Sequence, residues 1–385
     1  MATGQQKPTS SAVAVNIRGP PNADFVLGYP GINATNPRIA GVVEVRAPHG
    51  VPFKLASVSL QLYLTEVVGK QQESYRIHNQ LVIYDPTTIG TGTNNSSKAL
   101  LAIDLPFIYP LPSSSAKLPS TISGDDIVNA RYSLYATVVE TNGVTTHMYR
   151  PIAITRYDGI LAYMPIKSVP YVATLPDQNV QVHLTLTNGQ CYGPGDMLEL
   201  DVFARDTRTG GSVSRLSSIS WTVEEYITFG ENSKLDPRST KLVESSKPCE
   251  RGGGVRFNAT FSFDVKNSNS DRFVDAGDGQ GHPVGLRTRF TNSGNNFAIN
   301  YYFTVRLRIA STDYEIKNRL HVMPLGKAVR EIIYESLDEA DIGAKMEAAA
   351  PHREYFAVVP GDQVGLRKLG VTDANASRFL QLSLS

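Results

Sequence analysis

Apolar and polar residues alternate along many short segments of this chain. The clearest example lies at 127–140, where Tyr132, Leu134, Ala136 and Val138 occupy every second position. A period of two is expected of an antiparallel strand that turns one face toward a core. The pattern therefore predicts one long, half-buried strand over 127–140.

The segment just before this strand has a different character. Residues 105–119 are mainly apolar but are interrupted by four prolines. Proline has no backbone N–H and cannot donate to a strand ladder. We therefore expect 105–119 to be an extended and looped approach to the long strand.

The same alternation predicts strands on both sides of this region. They are expected at 13–17, 39–46, 56–68, 81–84, 149–156, 180–186, 197–204, 216–229, 255–265, 297–310 and 314–323. The polar stretches 230–254 and 266–296 predict loops, and 157–175 has no clear period. Many short strands separated by turn signals are typical of β-sandwiches.

The domain plan follows from where this strand pattern begins, pauses and stops. We expect a disordered N-terminus at 1–12, a first sandwich at 13–165, a hinge at 166–175, a second sandwich at 176–325, an amphipathic helix at 326–350 and a tail at 351–385. The helix is predicted because apolar residues recur there at spacings of three and four, as in Val329, Ile332 and Ile333. The fold class is thus all-β, with one helix and a tail at the C-terminal end.

Composition and charge exclude several functions. The 385 residues have a net charge of +1, so no overall electrostatic field favours nucleic acid. Cys191 and Cys249 are the only cysteines and lie far apart, which favours two reduced thiols in a cytosolic protein. No segment has the length and apolarity of a signal peptide or a membrane span.

The sequence has no motif for catalysis or for nucleotide binding. It lacks the Gly-x-Ser-x-Gly, phosphate-loop, His-Glu-x-x-His and Cys-x-x-Cys patterns. Asp271, Asp275 and Asp278 are close in sequence, but they lack the spacing and the closing Glu of a calcium loop. We expect no enzymatic activity, no cofactor and no bound metal.

Four segments, in this order and spacing, resemble the arrestins. They are 28–45 (GYPGINATNPRIAGVVEV), 105–139, 149–156 (YRPIAITR) and 190–204 (QCYGPGDMLELDVFA). Together they are similar to both arrestin domains, most of all to those of the fungal α-arrestins, the arrestin-related trafficking adaptors. The resemblance covers about 13–325 and implies two tandem immunoglobulin-like β-sandwiches that have no catalytic activity.

The resemblance also implies partners and a location. α-Arrestins recruit HECT-type ubiquitin ligases to the cytosolic tails of membrane transporters and receptors, and so direct endocytosis. The expected protein is a cytoplasmic adaptor that is recruited peripherally to the plasma membrane or to endosomes. The family's Pro-Pro-x-Tyr ligase motif does not occur in this sequence, so a ligase contact would be indirect, absent or carried outside these residues.

A basic strip is the first candidate binding site. It would form on the solvated face of a hairpin made by the strands 297–310 and 314–323, and it comprises Arg287, Arg289, Arg306, Arg308, Lys317 and Arg319. Arginine suits bidentate contact with phosphate or carboxylate. Since arrestins read phosphorylated or acidic tails, the strip is a hypothesis for contact with cargo or with an anionic lipid surface. The alternative is a solvated sheet face with cross-strand charge pairs.

The tail supplies a second candidate. Leu380, Leu382 and Leu384 alternate at the C-terminal end, as in a short edge strand. In several arrestins a C-terminal segment returns to the first domain and restrains it. We expect that 380–384 can act in this way by strand addition.

Two other functional classes remain open at the sequence level. The first is an arrestin-fold subunit of a sorting coat that resembles the retromer's, which would need a stable partner. The second is a ligand-binding or hydrolytic β-sandwich, which would need acidic and aromatic residues that converge in one cleft.

Overall fold

The structure, a computed structural model, describes most of the chain. The described residues are 13–20, 25–47, 50–86, 99–112, 118–163, 168–175, 179–187, 189–211, 213, 215–231, 233–248, 254–262, 284–287, 289–338 and 356–368. The predictions for 1–12, for Asp271, Asp275 and Asp278, and for Leu380, Leu382 and Leu384 fall outside these residues.

Strands dominate the fold. They account for 59% of it and form several antiparallel sheets, so the predicted all-β class is confirmed. Strands of the N-terminal part are β1 (Ala14–Arg18), β2 (Val26–Leu27), β3 (Arg38–Arg46), β4 (Leu55–Val68), β5 (Gln71–Arg76), β6 (Leu81–Tyr84), β7 (Ala102–Pro110), β8 (Val128–Glu140) and β9 (Thr145–Ile152).

The remaining strands follow a short helix, α1 (Asp158–Tyr163). They are β10 (Val169–Leu175), β11 (Val180–Leu186), β12 (Cys191–Tyr192), β13 (Met197–Asp206), β14 (Leu216–Phe229), β15 (Arg238–Pro248), β16 (Gly254–Ser262), β17 (Val284–Arg287), β18 (Asn292–Ser293), β19 (Phe297–Ile309), β20 (Thr312–Val322) and β21 (Phe356–Val358). Two further helices are α2 (Lys327–Glu335) and α3 (Gln363–Lys368).

Four sheets organise the described strands. Sheet 1 has the order β1-β3-β7-β21, with β2 also paired to β3, and sheet 2 has the order β5-β4-β8-β9, with β6 also paired to β4. Sheet 3 runs β10-β11-β13-β16-β17, and sheet 4 runs β12-β20-β19-β14-β15 with β18 on β19. Sheets 1 and 2 are called the first half below, and sheets 3 and 4 the second half.

Within each half, the sheets pack on each other through apolar side chains. Tyr109 of sheet 1 reaches sheet 2, where the side-chain amide of Gln61 donates to its hydroxyl at 3.4 Å. In the second half, Trp221 of sheet 4 stacks on Phe257 of sheet 3, with ring centroids 5.2 Å apart. Strands with one apolar face thus bury that face between paired sheets, which gives a sandwich-like layering.

The long strand predicted at 127–140 is β8. Its alternate residues Tyr132, Leu134, Ala136 and Val138 are buried, and it pairs with β4 along its whole length. The period of two therefore located this strand and its buried face correctly.

The looped approach predicted at 105–119 is wrong in its first part. Pro106 and Pro110 lie inside β7, which pairs with β3 from Ala102 to Pro110. On its other side, the partner of β7 in the described part of the chain is β21, at 102–104. No described strand pairs with that edge at Pro106 or Pro110, and a proline whose nitrogen faces such an edge removes no ladder bond there.

The hinge predicted at 166–175 is also corrected. Val169–Leu175 is the strand β10, which pairs with β11 at every residue and forms the edge of sheet 3. The loop predicted at 230–254 likewise contains an edge strand, β15. Edge strands need little apolar periodicity because their neighbour supplies the backbone hydrogen bonds.

The helix predicted at 326–350 begins where expected. Lys327–Glu335 is helical, with Ile333 and Arg330 on its buried side, and 339–350 lies outside the described residues. Val329 and Ile332, which were expected on the apolar face, are 47% and 65% exposed. None of the helices in the described ranges is long and apolar enough to cross a membrane.

Candidate functional site: a sheet edge and the contact between the halves

Arg289 lies at the contact between the two halves. Its guanidinium is 2.6 Å from the Glu225 carboxylate in β14 and 2.5 Å from the Asp125 carboxylate in the first half. Burial alone would lower the pKa of Arg289, but the two carboxylates outweigh burial and raise that pKa. Arg289 therefore acts as a charged clamp between the halves, and it does not belong to an exposed basic strip.

Glu66 makes a second contact between the halves. Its carboxylate, buried in β4, accepts the backbone N–H groups of Asn295 and Asn296, both at 2.9 Å. Burial raises the pKa of Glu66, while these hydrogen bonds act in the opposite direction. Beside it, Asn292 exchanges two hydrogen bonds of 2.9 Å with the backbone of Ser120.

His321 completes this contact on the side of α1. It lies in β20 against Gly159 of α1, where any larger residue would collide with the imidazole. Burial lowers the pKa of His321 to about 4, although the Asp158 carboxylate acts in the opposite direction. The imidazole is therefore neutral near pH 7. The sequence pattern did not predict that Glu66, Asn292, His321 and Asp125 lie at the contact between the halves.

Four of the other five predicted strip residues lie on the paired strands β19 and β20, but carboxylates lie among them. Arg306 is 3.1 Å from Glu315, Arg308 is 4.0 Å from Asp313, and Lys317 is 3.6 Å from Glu224. Arg319 donates to Asn300 at 2.7 Å. Arg287 is described only through its backbone, at the end of β17. The structure therefore brings Arg306, Arg308, Lys317 and Arg319 onto one hairpin whose charges are largely balanced.

A segment from the C-terminal part of the chain occupies the edge of sheet 1. The strand β21 pairs antiparallel with β7, so that Phe356, Ala357 and Val358 lie opposite Asp104, Ile103 and Ala102. Val358 is fully buried in the core of the first half, and its carbonyl accepts the N–H of Leu101 at 2.9 Å. A strand from the far end of the sequence is thus part of the first half.

The segment around β21 is compact. The carboxylate of Asp362 accepts the N–H of Gly365 at 2.9 Å at the start of α3. The ammonium of Lys368 then lies 5.8 Å from the centre of the Phe356 ring. The sequence does contain a signal for this strand, the apolar run 356–359, which ends at Pro360-Gly361. The alternation at 380–384 is more regular, and the returning strand was therefore predicted there.

The part of the chain that the structure describes contains no cluster of metal-ligating side chains. Among those residues, no three His, Cys, Asp or Glu side chains are grouped so that they can hold a metal ion. No protein-family model matches the chain, and no curated protein matches it significantly. The features that can bind a partner are the edge of sheet 1 at β7 and the exposed faces of the sheets, and the contact between the halves fixes how these surfaces are presented.

Proposed function

We propose that this protein is a non-enzymatic adaptor of the arrestin type. In this proposal the two halves are tandem immunoglobulin-like sandwiches, and they link the cytosolic tails of membrane proteins to ubiquitination and endocytic machinery. Support comes from the four arrestin-like segments, two consecutive pairs of antiparallel sheets, and the fixed polar contact between the pairs.

The observation that carries the proposal is the occupied edge of sheet 1. At that edge β7 receives an extended segment through main-chain pairing and accommodates one fully buried side chain, Val358. In strand addition, main-chain hydrogen bonds supply the affinity for an extended peptide, and pockets for its alternate side chains supply the specificity. An edge that accepts a segment of its own chain can accept the extended tail of another protein.

The anchoring of β21 is modest. Complete burial of a valine side chain contributes about 1.5–3 kcal/mol, and β21 makes three residue pairs with β7 in the described part of the chain. Because β21 belongs to the same chain, its rebinding is intramolecular, and a competing partner segment has to overcome the effective concentration of β21. A partner segment with a stronger anchor can therefore displace β21 once it is concentrated locally, as on a membrane surface.

The first experiment tests the edge. A chain that ends after Asp338 is mixed with a synthetic peptide of residues 351–369, and binding is measured by titration calorimetry. We expect saturable one-to-one binding that is lost when the peptide carries Val358→Asp, because a carboxylate would then enter an apolar core. Val364→Asp is the matched control, since Val364 is 67% exposed. Equal binding of all three peptides, or of none, would refute the peptide-binding edge.

The second experiment tests the adaptor role. Cells express either the intact chain or its Val358→Asp variant, and surface levels and ubiquitination of membrane transporters are followed after a nutrient shift. Freeing the edge should change the internalisation of particular transporters, together with their ubiquitination. If neither variant nor deletion of the gene alters any transporter's ubiquitination, the adaptor function is wrong even where the edge binds its peptide.

A further inference from the structure

The outer face of sheet 2 carries a groove that is separate from the β7 edge of sheet 1. Its volume is about 610 Å³, and its floor is formed by β4, β5 and β8. Ligand sites typically occupy concavities of about 300–1,000 Å³. The inner face of the same sheet is packed in the core, so this outer face is the one available to a partner.

Three tyrosines form an aromatic platform, of which Tyr63 and Tyr135 line the groove and Tyr149 packs beside Tyr135. The rings of Tyr63 and Tyr135 meet edge to face with centroids 5.2 Å apart, and Tyr149 lies 5.8 Å from Tyr135. Tyr135 and Tyr149 are 38% and 59% exposed. Tyrosines on neighbouring strands hold each other in place, so a ligand that packs on them orders few side chains.

Hydrogen-bond donors and positive charge line the rest of the groove. Arg76 lies opposite Tyr63, and Thr137 and His147 lie beside Tyr135. The Thr137 hydroxyl and His147 Nδ1 share a hydrogen bond of 3.2 Å, so the second imidazole nitrogen, Nε2, is the one left for a ligand. None of the described residues that line the groove carries a carboxylate. Arg131, next to the groove on β8, and Arg76 are both exposed, and neither forms an ion pair within the described part of the chain.

The balance of donors and acceptors narrows the class of ligand. A sugar presents many hydroxyl donors, which are best met by carboxylates, and the described lining of the groove offers none. A polyproline II segment presents the opposite chemistry, because its backbone carbonyls have no internal partners. Its proline rings pack on aromatic faces, as in other tyrosine-lined peptide grooves. An acidic side chain would complete the match by pairing with Arg76.

We propose that this groove binds an extended, proline-containing acidic segment of a partner protein. The tyrosine platform receives the proline rings, Nε2 of His147 contacts a backbone carbonyl, and Arg76 selects the acidic residue. This docking site is separate from the edge occupied by β21, which belongs to sheet 1, and the two sites allow simultaneous contact with two partners.

The test is a selection of random displayed peptides on the intact protein. Selected peptides should be enriched in proline together with Asp or Glu. Their affinity should fall about tenfold or more for Tyr135→Ala and for Arg76→Glu, measured by fluorescence anisotropy. Tyr135→Phe should retain most of the affinity, because it keeps the ring.

Matched controls separate this site from others. Phe203→Ala removes a ring of 41% exposure from the outer face of sheet 3 and should leave peptide affinity unchanged. Thermal unfolding of each variant verifies the fold. A selection that yields no peptide, peptides without proline and acid, or peptides that bind Tyr135→Ala as well as the parent protein would overturn the proposal. Binding of a neutral oligosaccharide that Tyr135→Ala abolishes would overturn it in favour of a glycan site.

Because the selection uses the protein with β21 in place, its outcome is independent of the adaptor proposal. Peptides that bind the edge of sheet 1 would lose affinity through competition with peptide 351–369, and groove-binding peptides would not. The proposal that the groove binds peptides can therefore be refuted without refuting the adaptor function, and the adaptor function can be refuted without refuting the groove.

Discussion

Arg289 joins carboxylates that come from different halves of the chain. Glu225 is almost completely buried, and Tyr301 also donates its hydroxyl to that carboxylate. A buried carboxylate that loses its cation keeps only neutral donors, here the Tyr301 hydroxyl and the backbone N–H of residue 289, and these do not replace the lost ion pair. Arg289 therefore matters to stability mainly because its removal would leave the buried Glu225 carboxylate without a cation.

The first prediction concerns this residue. Arg289→Met should lower the free energy of unfolding by about 3 kcal/mol, because it leaves the Glu225 carboxylate buried and unpaired. The measurement is urea denaturation at pH 7. Arg306→Met is the control and should cost less than about 1 kcal/mol, since its ion pair with Glu315 is half exposed. Similar losses for both variants would contradict the role given to Arg289.

The second prediction concerns His321 and pH. Its folded-state pKa of about 4 lies below the ordinary 6.5, so the unfolded state binds the proton more readily. Stability from this residue is therefore complete above pH 6.5 and is lost as the pH falls from 6.5 toward 4. The total loss is about 3 kcal/mol, from 1.36 kcal/mol for each pKa unit.

Comparison with a variant isolates this effect from the other titrating groups. In His321→Asn the free energy of unfolding should depend less steeply on pH between 6.5 and 4 than in the parent protein. Both proteins are denatured with urea at several pH values, and the difference between the two curves is taken. Parallel curves across this range would show that His321 is protonated equally in both states.

At the scale of elements, the alternation of residues identified strands that bury one face and missed strands that do not. The strand β5 has four exposed residues in succession, and β15 begins with four, so neither has a period of two to detect. Both depend on a neighbour, β4 or β14, for their backbone hydrogen bonds. An exposed edge strand is stabilised by pairing, which no local pattern encodes.

The third prediction concerns β21. In a chain that ends after Asp338, the amide of Leu101 loses its acceptor, the Val358 carbonyl, and should exchange hydrogen much faster. Amides in the centre of β8 should keep their protection, because β4 and β9 flank that strand on both sides. The measurement is native-state hydrogen exchange with peptide-level resolution. Unchanged exchange at 100–104 would mean that β21 does not restrain this edge.

At the scale of the whole molecule, apolar and polar contacts join the halves. The buried apolar residues form a core cluster that contains members of both halves. The polar contacts from Arg289, Glu66 and Asn292 lie beside it. The halves should therefore unfold together.

The fourth prediction tests this coupling. Trp221, the only tryptophan, lies in the second half, so its fluorescence reports that half, whereas circular dichroism reports both. The two thermal transitions should coincide in the parent protein. They should separate in the double variant Arg289→Met/Asn292→Ala, which removes two of the polar contacts. Coincident transitions at a lower temperature would mean that apolar contacts alone couple the halves.

The sequence by itself determined the all-β class, the position and buried face of strands such as β8, and the start of the helix at Lys327. These features depend on neighbouring residues, and their periods can be read locally. The sequence did not reveal that Asp125 and Arg289 meet, 164 positions apart, or that β21 pairs with β7. Only the tertiary structure decided these contacts, because pairing between distant segments depends on which buried faces and edges the whole chain brings together.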